Sequence, residues 1–369
     1  MSTAALCFEP RAPQKRGRPA DMHSCPAHAA CSLDVRVLAG LDGVYIDQIA
    51  AAGPRPCFDP SHGHALGGGD HWVKGYGAML DKVRGKAKRP HMILTESNAE
   101  PFMQGVQLFL TLVGFERGEP HFYPSLGSAE TIVPAFQAIY GGYVLAVGAE
   151  FFREDLVPDP NVFASKIAAQ FSFGAQMGWF SLGGRDNQDP PMGMFDLLMD
   201  PEYDAEITYL RTLSRAKQLA ADWLNFGRAM RPLPIVLNQT QGRGGVRRTS
   251  HPRSSRDEHA PRGLAYGDVL GSTWLAADDS NLLITMTTIK RATPASVQCT
   301  IDARAYGFVA AAADDEFDVF YMAVGPSFAT AWHQLGRYPA AAVKLDTALG
   351  VRAVVLLRIQ PAVRSFHHT

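Results

Sequence analysis

From about residue 34 to 230 the chain alternates short apolar runs with longer amphipathic stretches, and no other feature restricts its fold as strongly. A short apolar run fits a strand covered on both faces, and an amphipathic stretch of period near 3.6 fits the helix that covers it. Repeated in turn, the two make βα units on a parallel sheet. The strand candidates are Gly43–Asp47, His91–Glu96, Ile139–Val147 and Met177–Leu182. Helical spacing runs over 72–87, 161–175 and 201–229, where Leu210, Leu213, Ala216, Ala220 and Leu224 fall on one face. Asp200, Pro201 and Glu202 open that last helix with a cap, a proline at the first position and an acidic first turn.

After Pro234 the pattern changes to β-branched, turn-punctuated runs such as Leu282–Thr288, Phe317–Val324 and Val351–Ile359. These predict an antiparallel β-sandwich over 231–361. Residues 1–33 hold a basic, proline-rich opening expected to be a disordered tail, and 241–263 a disordered basic loop. Within that loop, 243–262 carries six arginines with no interleaved aromatic, so base stacking is not expected there. Lys+Arg 35 against Asp+Glu 36 leaves a net charge of -1, which gives no electrostatic reason to expect nucleic acid or an anionic membrane as partner. The opening residues show no secretory signal and no apolar stretch reaches about 18 residues. Five cysteines, at 7, 25, 31, 57 and 299, form no CxxC pair and read as free thiols, or at most one incidental bridge.

The most informative acids end two of the predicted strands. Asp47 closes Gly43–Asp47, and Glu96 closes the run beginning at His91. Ligands of parallel α/β folds lie beyond the carboxyl ends of the strands, so both acids would face one mouth. Two carboxylates so placed suit glycoside hydrolysis, in which one attacks the anomeric carbon and the other protonates the leaving oxygen. The bland alternative is that each acid caps the turn that follows it. Tyr45, Gln48, Asn98 and Glu100 lie close enough in sequence to orient the pair or bind sugar hydroxyls, and Tyr140 is a further candidate. Loop 54–72 holds Asp59, His62, His64, Asp70 and His71. Its histidines read as sugar contacts or loop structure, while a metal-dependent hydrolase using Asp59, His62 and His64 is the alternative. Trp72 and Trp179 could stack on pyranose rings or belong to the core. Gly67, Gly68 and Gly69 lack the lysine of a phosphate loop.

The runs Gly43–Gln48, Cys57–His64 and Leu94–Pro101, with Val133–Gly142 and Gly174–Trp179, resemble an uncharacterised family of glycoside-hydrolase-like (β/α)8 barrels. The resemblance covers about 35–230. Its acid-bearing strands are similar to those of the endo-α-N-acetylgalactosaminidase barrel, which implies Asp47 as nucleophile and Glu96 as general acid/base of a retaining enzyme acting on carbohydrate; no cofactor or metal is expected from the residues themselves. Such a barrel takes about 250 residues, so the resemblance implies a partial barrel over 34–230, lacking N-terminal strands, ahead of the sandwich. An inactive carbohydrate-binding remnant is the other reading of such a fragment. Oligomeric state and sugar identity are not legible in these residues.

Overall fold

The computed structural model describes residues 42–86, 92–110, 134–148, 151, 156–157, 160–178, 180, 194–231, 236–238, 269–289, 295–307, 315–326 and 331–362. The tail, the basic loop and Trp179 lie outside them. The chain divides into two compact units, one of Met1–Val113 with Val144–Val147, the other of Gly114–Tyr143 with Gly148–Thr369.

In the first unit β1 (Gly43–Ile46), α1 (His71–Lys86), β2 (Met92–Glu96) and β3 (Leu108–Leu110) follow in order, joined by β4 (Leu145–Val147). The four strands form one parallel sheet in sequence order, an open ladder among the described residues. Parallel neighbours need a crossover connection, and α1 supplies it between β1 and β2. Val44, Ile93, Phe109 and Leu110 are buried in the sheet. Gly43 is required at its start, since a Cβ there would come within 2.6 Å of the Met92 carbonyl oxygen. Helix α1 buries His71, Trp72 and Leu80, and its Tyr76 meets Phe102 edge to face at 5.7 Å.

The expected strand Ile139–Val147 is two elements instead. Helix α2 (Ala135–Tyr140) ends at Gly141, Gly142 takes a φ of 87°, and only then does β4 begin. The reason is the glycine pair, which interrupts an apolar run whose length alone suggested one strand. Of the predicted strand Met177–Leu182, the described residues show an isolated parallel bridge between Phe151 and Phe180.

The second unit continues with α3 (Pro160–Ser172), α4 (Met194–Leu198), α5 (Asp204–Leu219) and α6 (Ala221–Leu224). Asp200 accepts the Glu202 backbone N–H and starts the turn that leads into α5. Among the described residues nine strands follow: β5 (Arg228–Ala229), β6 (Val236–Asn238), β7 (Val269–Leu275), β8 (Leu282–Thr288), β9 (Ala295–Ile301), β10 (Glu316–Val324), β11 (His333–Pro339), β12 (Val343–Leu349) and β13 (Val354–Pro361). They pair antiparallel as a six-stranded sheet β11-β10-β13-β8-β7-β5 and a three-stranded sheet β12-β9-β6. Leu282, Ile284, Phe317, Val343, Leu345 and Leu357 make one core shared by the two sheets.

The composition shift near residue 230 does not mark the boundary between compact units. Phe163, Ile167 and Phe171 of α3 and Tyr209, Leu213 and Ala216 of α5 share a core with Trp274, Leu283, Met322 and Leu356 of the large sheet. An amphipathic helix has to bury its apolar face on something, and here the antiparallel sheet is what it buries against. That sheet is therefore covered on both faces, which explains why all seven residues of β8 are buried.

Candidate active site

β1 and β2 pair with Gly43 opposite Met92 and Ile46 opposite Thr95. Carried one residue on, the same offset sets Asp47 beside Glu96, the last residue of β2. Across β3 and β4 the row continues as Leu110 and Val147. The carboxyl lip of the sheet thus has two neighbouring acids followed by two apolar residues. Side chains alternate along a strand, so Asp47 belongs to the face of Tyr45, and Glu96 to that of Leu94. The buried Tyr45 confirms this for Asp47 by donating its hydroxyl to Asp47 Oδ1 at 2.8 Å.

Each acid is followed by a non-glycine residue in left-handed backbone, Gln48 at φ 58° and Ser97 at φ 60°. This conformation costs of order 1 kcal/mol or more for such residues and persists where surrounding structure enforces it. Part of that enforcement is visible. The hydroxyl of fully buried Thr95 accepts the Ile49 N–H at 3.1 Å, tying the turn after β1 to β2. The repeat of strand, acid and left-handed residue on adjacent strands was not legible in the sequence, because neither Gln48 nor Ser97 is a residue type that announces a positive φ.

Asn98 is half-buried just past that turn, Glu100 is exposed at the start of a short 3-10 turn, and Gln48 is exposed. Trp72 is buried within α1 and meets Tyr76 edge to face at 5.5 Å, the core alternative rather than a sugar platform. Tyr140 belongs to the second unit, where it is half-buried at the end of α2.

The loop between β1 and α1 is closed by paired backbone hydrogen bonds between Cys57 and Gly67. Asp59 caps its short turn, accepting from Ser61 N at 2.8 Å and Ser61 Oγ at 2.6 Å. Its other oxygen lies 3.3 Å from His62 Nε2, and His62 Nδ1 lies 3.2 Å from Cys57 Sγ. His64 Nδ1 donates to the Ala65 carbonyl at 2.8 Å, and the ring stacks on His71 with centroids 4.3 Å apart. One ligand atom from each of Cys57, His62 and His64 lies within 4.8 Å of the others. Sequence reading paired these histidines with Asp59 and set Cys57 aside as a thiol; the Cys57-x4-His62-x-His64 spacing was the signal available.

A family model described as a domain of unknown function (DUF6259) matches residues 29–151. A protein of Monosiga brevicollis named "Putative glycoside hydrolase 22789" is 38% identical over 199 residues, covering 52% of this chain and 16% of that protein. One of Bacteroides thetaiotaomicron named "Putative glycoside hydrolase" is 29% identical over 202 residues, covering 54% and 26%. The chain therefore spans about a sixth and a quarter of the length of these curated relatives. Among solved structures, a noncanonic maltogenic alpha-amylase of Thermotoga neapolitana aligns over 88% of this chain and 62% of its own, at 12% identity and a TM-score of 0.45. About half of this chain is thus similar in sequence to proteins named as glycoside hydrolases.

Proposed function

We propose that the chain carries the acid pair of a retaining glycoside hydrolase, with Asp47 as nucleophile and Glu96 as general acid/base. The observation that supports this most is the parallel register of β1 and β2, which ends with Ile46 opposite Thr95 and, carried one residue on, leads to Asp47 beside Glu96. Neighbouring strands lie about 4.8 Å apart. That is the scale of the roughly 5–5.5 Å between carboxyls in retaining enzymes, and short of the roughly 6.5–9.5 Å that an inverting enzyme needs for its water. The relatives' names point to the same reaction class.

In this reading the Asp47 carboxylate, held by the Tyr45 hydroxyl, attacks the anomeric carbon while Glu96 gives its proton to the departing oxygen. A glycosyl ester on Asp47 results. Glu96, now ionised, takes a proton from water whose oxygen attacks the same carbon, and Asp47 leaves as carboxylate. Gln48, Asn98 and Glu100, which follow the acids in the chain, are the proposed hydroxyl-binding groups of the first unit. The assignment of roles follows the resemblance to the endo-α-N-acetylgalactosaminidase barrel.

The test is turnover of a panel of aryl glycosides by the purified chain and its Asp47→Asn and Glu96→Gln variants. Glu96→Gln should lower kcat/KM about 10²–10⁴-fold, and a 2-fluoro glycoside inactivator should leave a covalent sugar on the peptide containing Asp47. Turnover surviving both substitutions overturns the reading, as does glycan binding by the parent chain with no turnover.

A further inference from the structure

We propose that Cys57, His62 and His64 form a zinc site that fastens the loop between β1 and α1, with Asp59 supporting His62 from behind. This goes beyond the glycosidase reading and does not depend on it.

Oxygen acceptors fix the tautomers of both histidines. The Asp59 carboxylate can only accept, so the contact at 3.3 Å sets the His62 proton on Nε2 and leaves the Nδ1 lone pair directed at Cys57 Sγ, 3.2 Å away. The Ala65 carbonyl likewise sets the His64 proton on Nδ1 and leaves the lone pair on Nε2. Each imidazole thus has one nitrogen oriented by an oxygen acceptor and one suited to a metal, the arrangement by which histidine ligands are usually oriented.

The donor set and its spacing fit zinc. Zn–S bonds of about 2.3 Å and Zn–N bonds of about 2.0–2.1 Å at tetrahedral angles put sulfur and nitrogen roughly 3.6 Å apart. The Cys57–His62 pair at 3.2 Å is close to that, and the full set within 4.8 Å needs about an ångström of closure. Binding replaces the hydrogen between Sγ and Nδ1 with the ion, and the thiol proton goes to solvent. Two nitrogens and a thiolate suit zinc, with water as fourth ligand. A second observation lies alongside. His71, stacked on His64 and only 8% exposed, donates from Nε2 to the Arg55 carbonyl at 3.2 Å, while its buried Nδ1 has no hydrogen-bond partner. A buried acceptor left so is unusual, and a metal-bound water is a donor of the kind it lacks.

The loop is where such a clamp has an effect. It follows directly on Asp47, and Gly63, Gly67 and Gly69 all adopt positive φ, so between the Cys57–Gly67 bridge and α1 the loop turns sharply on residues that carry no side chain to hold it.

The full-length chain, stripped with chelator and free of any affinity tag, is titrated with Zn2+ and separately with Co2+. One ion per chain should bind, and the Co2+ complex should show tetrahedral d–d bands with a thiolate-to-metal charge-transfer band. Cys57→Ala or His64→Ala should weaken binding by about 10-fold or more, and Asp59→Asn by about 10–100-fold. Absence of stoichiometric binding, absence of the thiolate band, or affinity unchanged in Cys57→Ala overturns the proposal. If a variant fails to fold, judged by circular dichroism, the Co2+ spectrum of the parent chain decides alone. Asp47→Asn with Glu96→Gln should bind Zn2+ as the parent does, so loss of the glycosidase reading and loss of the metal site remain separate results.

Discussion

At the scale of single residues, the placement of Asp47 depends on a group that carries no chemistry itself. Thr95 and Ile49 are both fully buried, and their hydrogen bond holds the turn that presents the acid. Thr95→Val keeps the shape and removes the acceptor, stranding a buried N–H, which costs about 1–3 kcal/mol. Urea denaturation should show that loss in Thr95→Val, with Thr95→Ser recovering much of it. A valine variant as stable as the parent would mean the turn is held by other contacts. Sequence made Asp47 and Glu96 visible because each ends an apolar run. It did not show Thr95 as their support, because a threonine inside a strand is most simply read as a strand former. Cys57 was missed for a related reason: its partners come from a turn whose shape is set by Gly63 and the Asp59 cap, not by periodicity.

At the scale of elements, α5 is joined to the turn before β13 by a buried ion pair. Arg352 Nη1 donates to Glu206 Oε1 at 2.6 Å with both side chains nearly inaccessible, and Arg352 also lies over the Tyr209 ring. Tyr209 in turn shares a 2.7 Å hydrogen bond with Thr287 of β8. Desolvation offsets most of the Coulombic gain in such a pair, so its presence adds little net stability, yet breaking it leaves a bare buried charge. Arg352→Ala should therefore cost about 3–5 kcal/mol in chemical denaturation, while joint replacement by Arg352→Met and Glu206→Leu should restore most of that. Equal losses in the single and double variants would show that packing, not charge, dominates there. Of the single helix expected over 201–229, α5 takes Asp204–Leu219 and turns Leu213 and Ala216 to the core, whereas a 3-10 turn precedes it and the separate α6 and the strand β5 take the rest. The periodicity could not show that the covering surface would be the antiparallel sheet.

At the scale of the whole molecule, stability should carry a signature of pH from Lys217. Burial pulls its ammonium down to about 7, and Nζ donates to the carbonyls of Gly174 and Leu224. Between about pH 7 and the ordinary lysine value, near 10.4, the unfolded chain binds a proton that the folded chain does not. Stability from this group then rises with pH across that window, by at most about 1.4 kcal/mol per unit, and is flat below it. Lys217→Met removes the dependence, so its stability advantage over the parent should shrink from pH 7 to 10. A difference constant over that range would show Lys217 charged in the folded state. What the sequence determined by itself was local: which runs are apolar, where helices face a core, which strands end in acids, and that the second half is antiparallel. What only the tertiary structure decided was partnership: the register that sets Asp47 beside Glu96, the glycine break that divides 139–147, the joining of α3 and α5 to the large sheet, and the meeting of Cys57 with two histidines. The physical reason is that periodicity records the environment a residue needs, whereas the neighbour that supplies it comes from any part of the chain able to bury the same surface or complete the same hydrogen bond.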